Sequence, residues 1–153
     1  MNDVVEANKK RSRRLYEEVF GNGNYAMADD LMAAGVVNHG PGSAPVPGTE
    51  GIKRQAALLR TAIPDLRAVL NDQFGHDDRV VSRWTSSGTH SGPLELPTGT
   101  VQGTGSSVSF EEIRIDRHDG GQIVESWWIP GPAHALAAIR PVARATGTSG
   151  RFR

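Results

Sequence analysis

The segment that most constrains the fold runs from Phe110 to Gly131 and reads FEEIRIDRHDGGQIVESWWIPG. Two runs rich in β-branched and aromatic residues flank the triplet Asp119-Gly120-Gly121. Asp-Gly is a strong hairpin signal because both residues accept the positive φ of a tight turn. We therefore predict that this segment forms a β-hairpin.

The register of this hairpin decides which side chains share a face. A two-residue loop at Asp119 and Gly120 pairs Arg114 with Glu125, Glu112 with Trp127, and Phe110 with Ile129. Charged groups among aromatic rings are costly to bury unless they are paired or take part in binding or catalysis. This face is therefore the candidate site. The opposite face then carries Ile113, Ile115, Val124 and Trp128. A three-residue loop with a bulge would shift the register by one residue, so that the side chains of one strand would exchange faces relative to the other strand.

The composition limits the class of protein. A chain of 153 residues with 37% hydrophobic residues suffices for one core, and we predict one domain over residues 1–140 with a disordered tail over 141–153. The 17 basic and 17 acidic residues cancel, which disfavours nucleic acid or an anionic membrane as a partner. The absence of cysteine excludes disulfides and thiolate metal sites. No stretch resembles an export signal or a membrane span, so the expected compartment is the cytoplasm.

Helices are predicted in the first half of the chain. An amphipathic helix extends from about Asn2 to Phe20, and a second from about Tyr25 to Ala33 is stopped by Gly35 before a short strand over residues 36–39. Thr49 is a suitable N-cap for a third helix that ends before Pro64.

Strands are predicted to follow. Residues 66–71 and 79–90 form two antiparallel strands, and Trp84 and His90 share one face of the second if no bulge intervenes. Loops over residues 40–48 and 91–107 can cover a pocket, with a short strand near Thr100 to Gln102. A short helix is expected from Ala133 to Ile139. Helices first and antiparallel strands later indicate an α+β domain.

Four segments carry a resemblance to a known family. They are RRLYEEVFGNGNYAMADDLMAAGVVNHGPG, which contains the NHGP motif, PGTEGIKRQAALLRTAIPDL, DDRVVSRWTSSGTHSG and RHDGGQIVESWW. In this order the chain resembles the SnoaL-like polyketide cyclase and ester cyclase family, of the nuclear-transport-factor-2-like superfamily, over residues 10 to 139. The resemblance implies a cone-shaped, curved antiparallel sheet with N-terminal helices that enclose a deep pocket, frequent dimerisation through the sheet, and no bound cofactor.

The resemblance also locates pocket positions. Family cyclases use an aspartate four residues after the tryptophan that aligns with Trp127, and that position is Gly131 here. The family's pocket Gln and His align with Glu112 and Arg114. The residues at these two positions thus differ from those of the family, but both are ionisable.

The candidate catalytic residues are Glu112, Arg114, His39 and His90. Glu112 is the expected base for an aldol-type closure, with its pKa raised by burial and limited by Arg114; a structural ion-pair network of Glu112, Arg114 and Glu125 is the alternative. His39 and His90 are expected to transfer protons or to bind substrate, and a purely structural role is the alternative for each. The expected substrate-binding residues are Asn38, Tyr16, Trp84, Phe110, Trp127 and Glu125. No metal site is expected.

The resemblance, together with the polar face of the hairpin, implies a cofactor-independent cyclase or isomerase that acts on a hydrophobic small molecule. A non-catalytic binding protein with the same pocket, or a hydrolase that opens an epoxide, are the alternatives. A homodimer is expected because the second hairpin face is apolar and lacks a partner within the chain.

Overall fold

The computed structural model describes residues 2–42 and 44–131. The helices are α1 (Asp3–Leu15), α2 (Met27–Leu31) and α3 (Glu50–Ala62), and a π-helical turn, Tyr16–Gly21, continues α1. The strands are β1 (Met32–His39), β2 (Val46–Pro47), β3 (Arg67–His76), β4 (Arg79–Thr89), β5 (Leu94–Leu96), β6 (Gly99–Val101), β7 (Ser107–Asp119) and β8 (Gln122–Pro130). The predicted order, helices first and strands later, is confirmed.

Six strands form one sheet in the order β2-β1-β8-β7-β4-β3, and β5 pairs with β6 in a separate hairpin. All neighbours in the large sheet are antiparallel except β1 and β8, which run parallel. The long strands β4 and β7 lie in the middle of the sheet. They therefore present the largest continuous surface to the helices.

The core lies between the inner face of the sheet and the helices. The apolar stripe of α3, Ile52, Ala56 and Leu59, is buried, as the helical spacing predicts. The end of α1 and the π-helical turn contribute a stack in which the ring of Tyr16 lies 4.8 Å from Phe20 and 4.3 Å from Trp84. This aromatic stack fills the middle of the sheet. Burial of rings of this size stabilises the fold by about 2 kcal/mol or more for each.

The predicted hairpin is present, but its predicted register is wrong. The loop is Gly120-Gly121, because Asp119 pairs with Gln122, and both glycines have positive φ. A register shift between Arg117 and His118 then moves every later pair. The observed pairs are Arg117 with Glu125, Ile115 with Trp127, Arg114 with Trp128, and Glu112 with Pro130. Glu112 thus shares its face with Trp128, while Glu125 and Trp127 lie on the opposite, outer face.

The segment after the first helix also differs from the prediction. The second helix is shorter than expected, and β1 begins at Met32, so Gly35 lies inside a strand and does not stop a helix. Gly35 lies where the register of β1 against β8 shifts between Met32 and Val37, and glycine is well suited to such an irregularity. Thr49 occupies the N-cap position of α3 as predicted, yet its hydroxyl donates to Asp29 and does not cap the helix.

The strand predicted over residues 79–90 is β4, and the strand predicted over residues 66–71 is β3, which extends further than predicted, to His76. Trp84, in β4, and His90, directly after its end, are both buried on the inner side of the sheet. The strand predicted near Thr100 is β6, and its partner β5 was not predicted. The predicted helix over 133–139 and the predicted tail over 141–153 lie outside the described residues.

The loop that follows His90 is held against α3 by close backbone contact. The Gly92 amide donates to Ala62 O, and a Cβ at Gly92 would lie 1.9 Å from Thr61 O. No side chain fits this place without movement of the backbone. By contrast, a Cβ at Gly35 would have no neighbour within 4 Å.

We predict that Gly92→Ala destabilises the protein by about 1–3 kcal/mol because the new methyl group overlaps a backbone oxygen. Gly35→Ala is the matched control and should change the free energy of unfolding by less than about 1 kcal/mol, in the stabilising direction. Urea denaturation of both variants measures the difference. Equal stabilities would contradict the close packing of this loop.

Candidate active site

The inner face of β7 carries a row of ionisable side chains. Glu112, Arg114, Asp116 and His118 alternate along the strand and are 2–4% exposed. Because successive strand residues point to opposite faces, all four point towards the helices. Their covering residues on α1 include two buried polar side chains, Asn8 and Ser12. We call these four β7 residues the buried polar row.

Glu112 lies at one end of the buried polar row. Its Oε2 accepts a hydrogen bond of 2.5 Å from Trp128 Nε1, and its Oε1 lies 3.5 Å from Arg114 Nη1. Burial raises the pKa of the Glu112 carboxyl, while the charge of Arg114 and hydrogen bonds from Tyr16 and Trp128 limit the rise. This environment is suited to a carboxylate that accepts a proton.

The Arg114 guanidinium is buried but incompletely paired. Its Cζ lies 5.4 Å from the ring of Phe20 and 5.9 Å from that of Tyr16, within the range of cation–π attraction. Its Nε has no hydrogen-bond partner in the structure. A buried donor without a partner costs about 1–3 kcal/mol, so this group is available for a ligand oxygen.

A cavity of about 240 Å³ opens between the sheet and α3. The sheet contributes Asn38 of β1, Arg114 of β7, and Ser126 and Trp128 of β8, while α3 contributes Ile52 and Gln55. Glu112 does not line this cavity. It lies directly behind Arg114 and Trp128, which bind its two carboxylate oxygens and do line it.

His39, Glu125 and Trp127 form a separate group on the outer face. His39 Nε2 lies 2.8 Å from Glu125 Oε1, Arg117 Nε donates to Glu125 Oε2 at 3.0 Å, and the His39 ring stacks on Trp127 at 5.0 Å. The hydrogen bond from His39, followed by that from Arg117, lowers the pKa of Glu125. The structure therefore does not bring Glu125 or Trp127 to the face of Glu112. His39 reaches the rim of the cavity from its strand end.

His90 lies far from Glu112 on the inner face. Glu112 pairs with Trp84 on β4, and His90 stands further along the strand by roughly 20 Å at about 3.3 Å per residue. His90 is fully buried, with Nδ1 3.2 Å from Thr104 Oγ1 and Nε2 without a partner. The structure does not bring His90 and Glu112 together.

Tyr16, Trp84 and Phe110 belong to the core. Each is 1–2% exposed, and none lines the cavity. Tyr16 nevertheless contacts the site, because its hydroxyl lies 3.0 Å from Ser86 Oγ and also stabilises the Glu112 carboxylate. Burial and the charge of Glu112 raise the pKa of Tyr16, which keeps it a phenol.

Four site residues were missed at the sequence level: Asp116, His118, Ser126 and Trp128. The alternation of RIDRHD, read four residues beyond Arg114, was sufficient to place Asp116 and His118 on the face of Glu112. Ser126 and Trp128 were missed because the predicted register put them on the other face. Burial lowers the pKa of His118, and the charge of Asp116 opposes this shift.

The family's aspartate position offers no room for a side chain. The Gly131 amide donates to Glu111 O, and a Cβ at Gly131 would lie 2.9 Å from the same oxygen. A carboxylate at this position therefore requires movement of the backbone. In the described part of the chain, no group of three or more His, Asp or Glu side chains could hold a metal ion. No described helix is long and apolar enough to cross a membrane.

A sheet covered by N-terminal helices, with ionisable residues behind a small cavity, is the arrangement of pocket proteins of the ketosteroid isomerase-like fold. The family model of the SnoaL-like polyketide cyclases matches residues 10–139, and the chain belongs to this family. The family expected from the four sequence segments is thereby confirmed. No curated protein matches the sequence.

Solved structures agree with this assignment. A candidate SnoaL-like polyketide cyclase from Jannaschia sp. CCS1 has a TM-score of 0.78 at 22% identity, covering 92% of this chain and 97% of that one. IdmH, a candidate polyketide cyclase from Streptomyces antibioticus, has a TM-score of 0.71 at 28% identity, covering 86% and 97%. A protein of ketosteroid isomerase-like fold from Catenulispora acidiphila DSM 44928 has a TM-score of 0.63 at 16% identity, covering 84% and 90%. The predicted fold class is confirmed, and the family and neighbours indicate a cyclase-type function.

The raised pKa of Glu112 makes stability depend on pH. A carboxyl whose pKa is higher in the folded state favours folding below its unfolded value, near 4.5, and this contribution is lost as pH rises through the folded value. We predict that Glu112→Gln gains stability relative to the wild type between pH 4 and pH 8, by about 1.4 kcal/mol for each unit of the shift.

Urea denaturation at both pH values measures this gain, with Glu111→Gln as the control. Glu111 is the neighbouring carboxylate on the outer face, where it pairs with Arg83 and is largely exposed. The free energy of unfolding of Glu111→Gln should match that of the wild type at both pH values, because exposed ion pairs contribute little to stability. A constant difference between Glu112→Gln and the wild type would show that folding does not raise the pKa of Glu112.

Proposed function

We propose that this protein is a cofactor-independent enzyme that cyclises or isomerises a hydrophobic carbonyl compound, with Glu112 as the base and Arg114 as the group that holds the enolate oxygen. One observation carries the proposal: a buried carboxylate lies directly behind a partly unpaired guanidinium that lines the cavity. A catalytic base needs an environment that shifts its pKa towards neutral pH, because it must both accept and release a proton there.

The reaction begins with proton removal. Glu112 takes a proton from the carbon next to a carbonyl, and the electrons of the broken C–H bond move onto the carbonyl oxygen. Arg114 donates hydrogen bonds to this oxygen as its negative charge develops. In cyclisation, the enolate carbon attacks a second carbonyl of the same molecule, a C–C bond forms, and Glu112 returns its proton to the new alkoxide. In isomerisation, Glu112 returns the proton to another carbon.

Trp128 controls access to the base. Its indole lines the cavity and donates to Glu112 Oε2, so a substrate reaches this oxygen only when the hydrogen bond is released. The cavity volume of about 240 Å³ accommodates about two fused rings. Ile52 and Trp128 provide apolar surface for such a molecule.

Binding without catalysis is the second candidate function. It is favoured by the donors that already engage Glu112 and by the lack of room for a carboxylate at Gly131. Epoxide hydrolysis, with Glu112 activating a water, uses the same base. Incorporation of ¹⁸O from labelled water into the product would distinguish hydrolysis from ring closure.

We predict that the protein accelerates deuterium uptake at the carbon next to the carbonyl of 2-tetralone in D₂O, followed by NMR. Glu112→Gln should lower the enzymatic rate by a factor on the order of 10² to 10⁴, because the amide keeps the shape but cannot accept the proton. Glu111→Gln should retain the rate of the wild type, because its side chain lies on the outer face.

Three outcomes would contradict this assignment. If wild type and Glu112→Gln both bind 2-tetralone and neither exchanges it, the cavity binds this ligand without catalysis. If Glu112→Gln retains the rate while folded His39→Ala or His90→Ala loses it, the base is a histidine. A requirement for added metal, flavin or nicotinamide would exclude cofactor-independent chemistry.

The sheet's outer face supports a homodimer as part of the same proposal. Phe74, Val81, Ile115 and Trp127 lie side by side across four strands of this face. Ile113 and Ile129 form a second pair beside them, and Phe74 and Ile129 are 63% and 48% exposed. An apolar surface of this extent is typical of an interface.

We predict a dimer by light scattering at micromolar concentration. Ile129→Glu should convert it to a folded monomer, because a charge in an apolar interface is costly to bury. Glu50→Gln, an exposed change on α3, is the control and should leave the mass unchanged. A monomeric wild type at this concentration would exclude the dimer.

A further inference from the structure

We propose that the cavity selects a ligand that carries a free hydroxyl group as well as its carbonyl, and that Ser126, positioned by Asp116, is the residue that makes this selection together with Asn38. This inference rests on the proposed function for the carbonyl and on separate contacts for the hydroxyl. Neither Asp116 nor Ser126 has a role in the proton transfer itself.

Asn38 presents an acceptor and no donor to the cavity. Its Nδ2 donates to Gly48 O at 3.0 Å and is 3.5 Å from Val46 O. These two carbonyl oxygens fix the orientation of the amide, because only the NH₂ group can donate to them. The Asn38 Oδ1 is buried and has no partner. Only a hydrogen-bond donor can satisfy it.

Ser126 is also restricted to accepting. Its hydroxyl donates to Asp116 Oδ1 at 2.7 Å, and both residues are 1–2% exposed. A hydroxyl has a single proton, and this one is held by a buried carboxylate in a charge-assisted bond. The lone pairs of Ser126 Oγ remain for a ligand, since Ser126 lines the cavity. Asp116 thus acts on the ligand through Ser126.

The three residues lie in one line across the sheet. Asp116 pairs with Ser126, and Ser126 pairs with Asn38 on the neighbouring parallel strand. Adjacent strands are about 4.8 Å apart, so the two acceptors are close enough to bind one polar group of a ligand. Arg114 lies on the second strand from Asn38, about 10 Å away in the sheet, and provides the donor at the other side of the cavity.

The charges around the cavity select a neutral donor. A ligand ammonium would satisfy the acceptors, but the Arg114 guanidinium lines the same cavity and repels it. A ligand carboxylate would meet Arg114, but Glu112 and Asp116 flank Arg114 on the same face of β7. A hydroxyl donates without adding charge. The ligand class is therefore a hydroxylated ketone of one or two rings, with the hydroxyl separated from the carbonyl by most of the molecule.

Isothermal titration with three probe types tests this selection: 2-tetralone, its ring-hydroxylated isomers at positions 5 to 8, and the corresponding methyl ethers. At least one hydroxylated isomer should bind the wild type about tenfold more tightly than its methyl ether and than 2-tetralone. Ser126→Ala should reduce this preference, measured as the ratio of the affinities on the same variant, to about twofold. Ser109→Ala, an exposed change on the same sheet, is the control and should retain the preference.

Asp116→Asn provides the second variant. An amide can donate to Ser126 Oγ and release its proton towards the cavity, so the methyl ether should gain affinity relative to the hydroxylated probe. A role of Asp116 in folding alone would weaken all probes equally. Circular dichroism of each variant confirms that it is folded.

The inference is overturned if the three probe types bind the wild type equally, if none binds at millimolar concentration, or if Ser126→Ala keeps the preference. These outcomes are separable from failure of the proposed function. A hydroxyl preference in binding without deuterium exchange would support this ligand class and contradict catalysis. Deuterium exchange without a hydroxyl preference in binding would support catalysis and contradict this ligand class.

Discussion

The burial of Glu112 beside Arg114 is the interaction on which the site depends. A lone charge in this position would be costly, and a pair held at 3.5 Å with only one further strong donor to the carboxylate is not an optimised structural ion pair. Removal of either partner leaves the other buried without compensation. The fold therefore carries a cost at this point, which a hydrophobic pair of similar volume would avoid.

The aromatic stack helps to offset the free-energy cost of burying Glu112 and Arg114. Phe20, Tyr16 and Trp84 fill the middle of the sheet with large apolar surface, and the first two also provide ring faces for Arg114. The same rings occupy space that a deeper pocket would need. The cavity is consequently confined to the side of the sheet near α3, and its volume of about 240 Å³ follows from this packing.

Much of the fold followed from local sequence patterns, whereas the composition of the site did not. Helical spacing identified α3, and alternation identified β4 with Trp84 and His90 on one face. The Asp-Gly signal located the hairpin, but a register shift near His118 exchanged Trp127 for Trp128 on the inner face. A bulge is decided by packing across neighbouring strands, which a single hairpin sequence does not contain. Similarly, β1 extends through Gly35 because Met32 on one side of it and residues 37–39 on the other pair with β8, which is distant in sequence.

The parallel pairing of β1 with β8 has a consequence for the order in which the molecule assembles. The hairpin of β7 and β8 and its neighbour β4 form from segments close in sequence, but β1 must return across most of the chain to reach β8. Contacts of such long separation form late because they close the largest loops. We therefore expect Asn38 to meet Ser126 late in folding, and the cavity to form after the pairing of β4, β7 and β8.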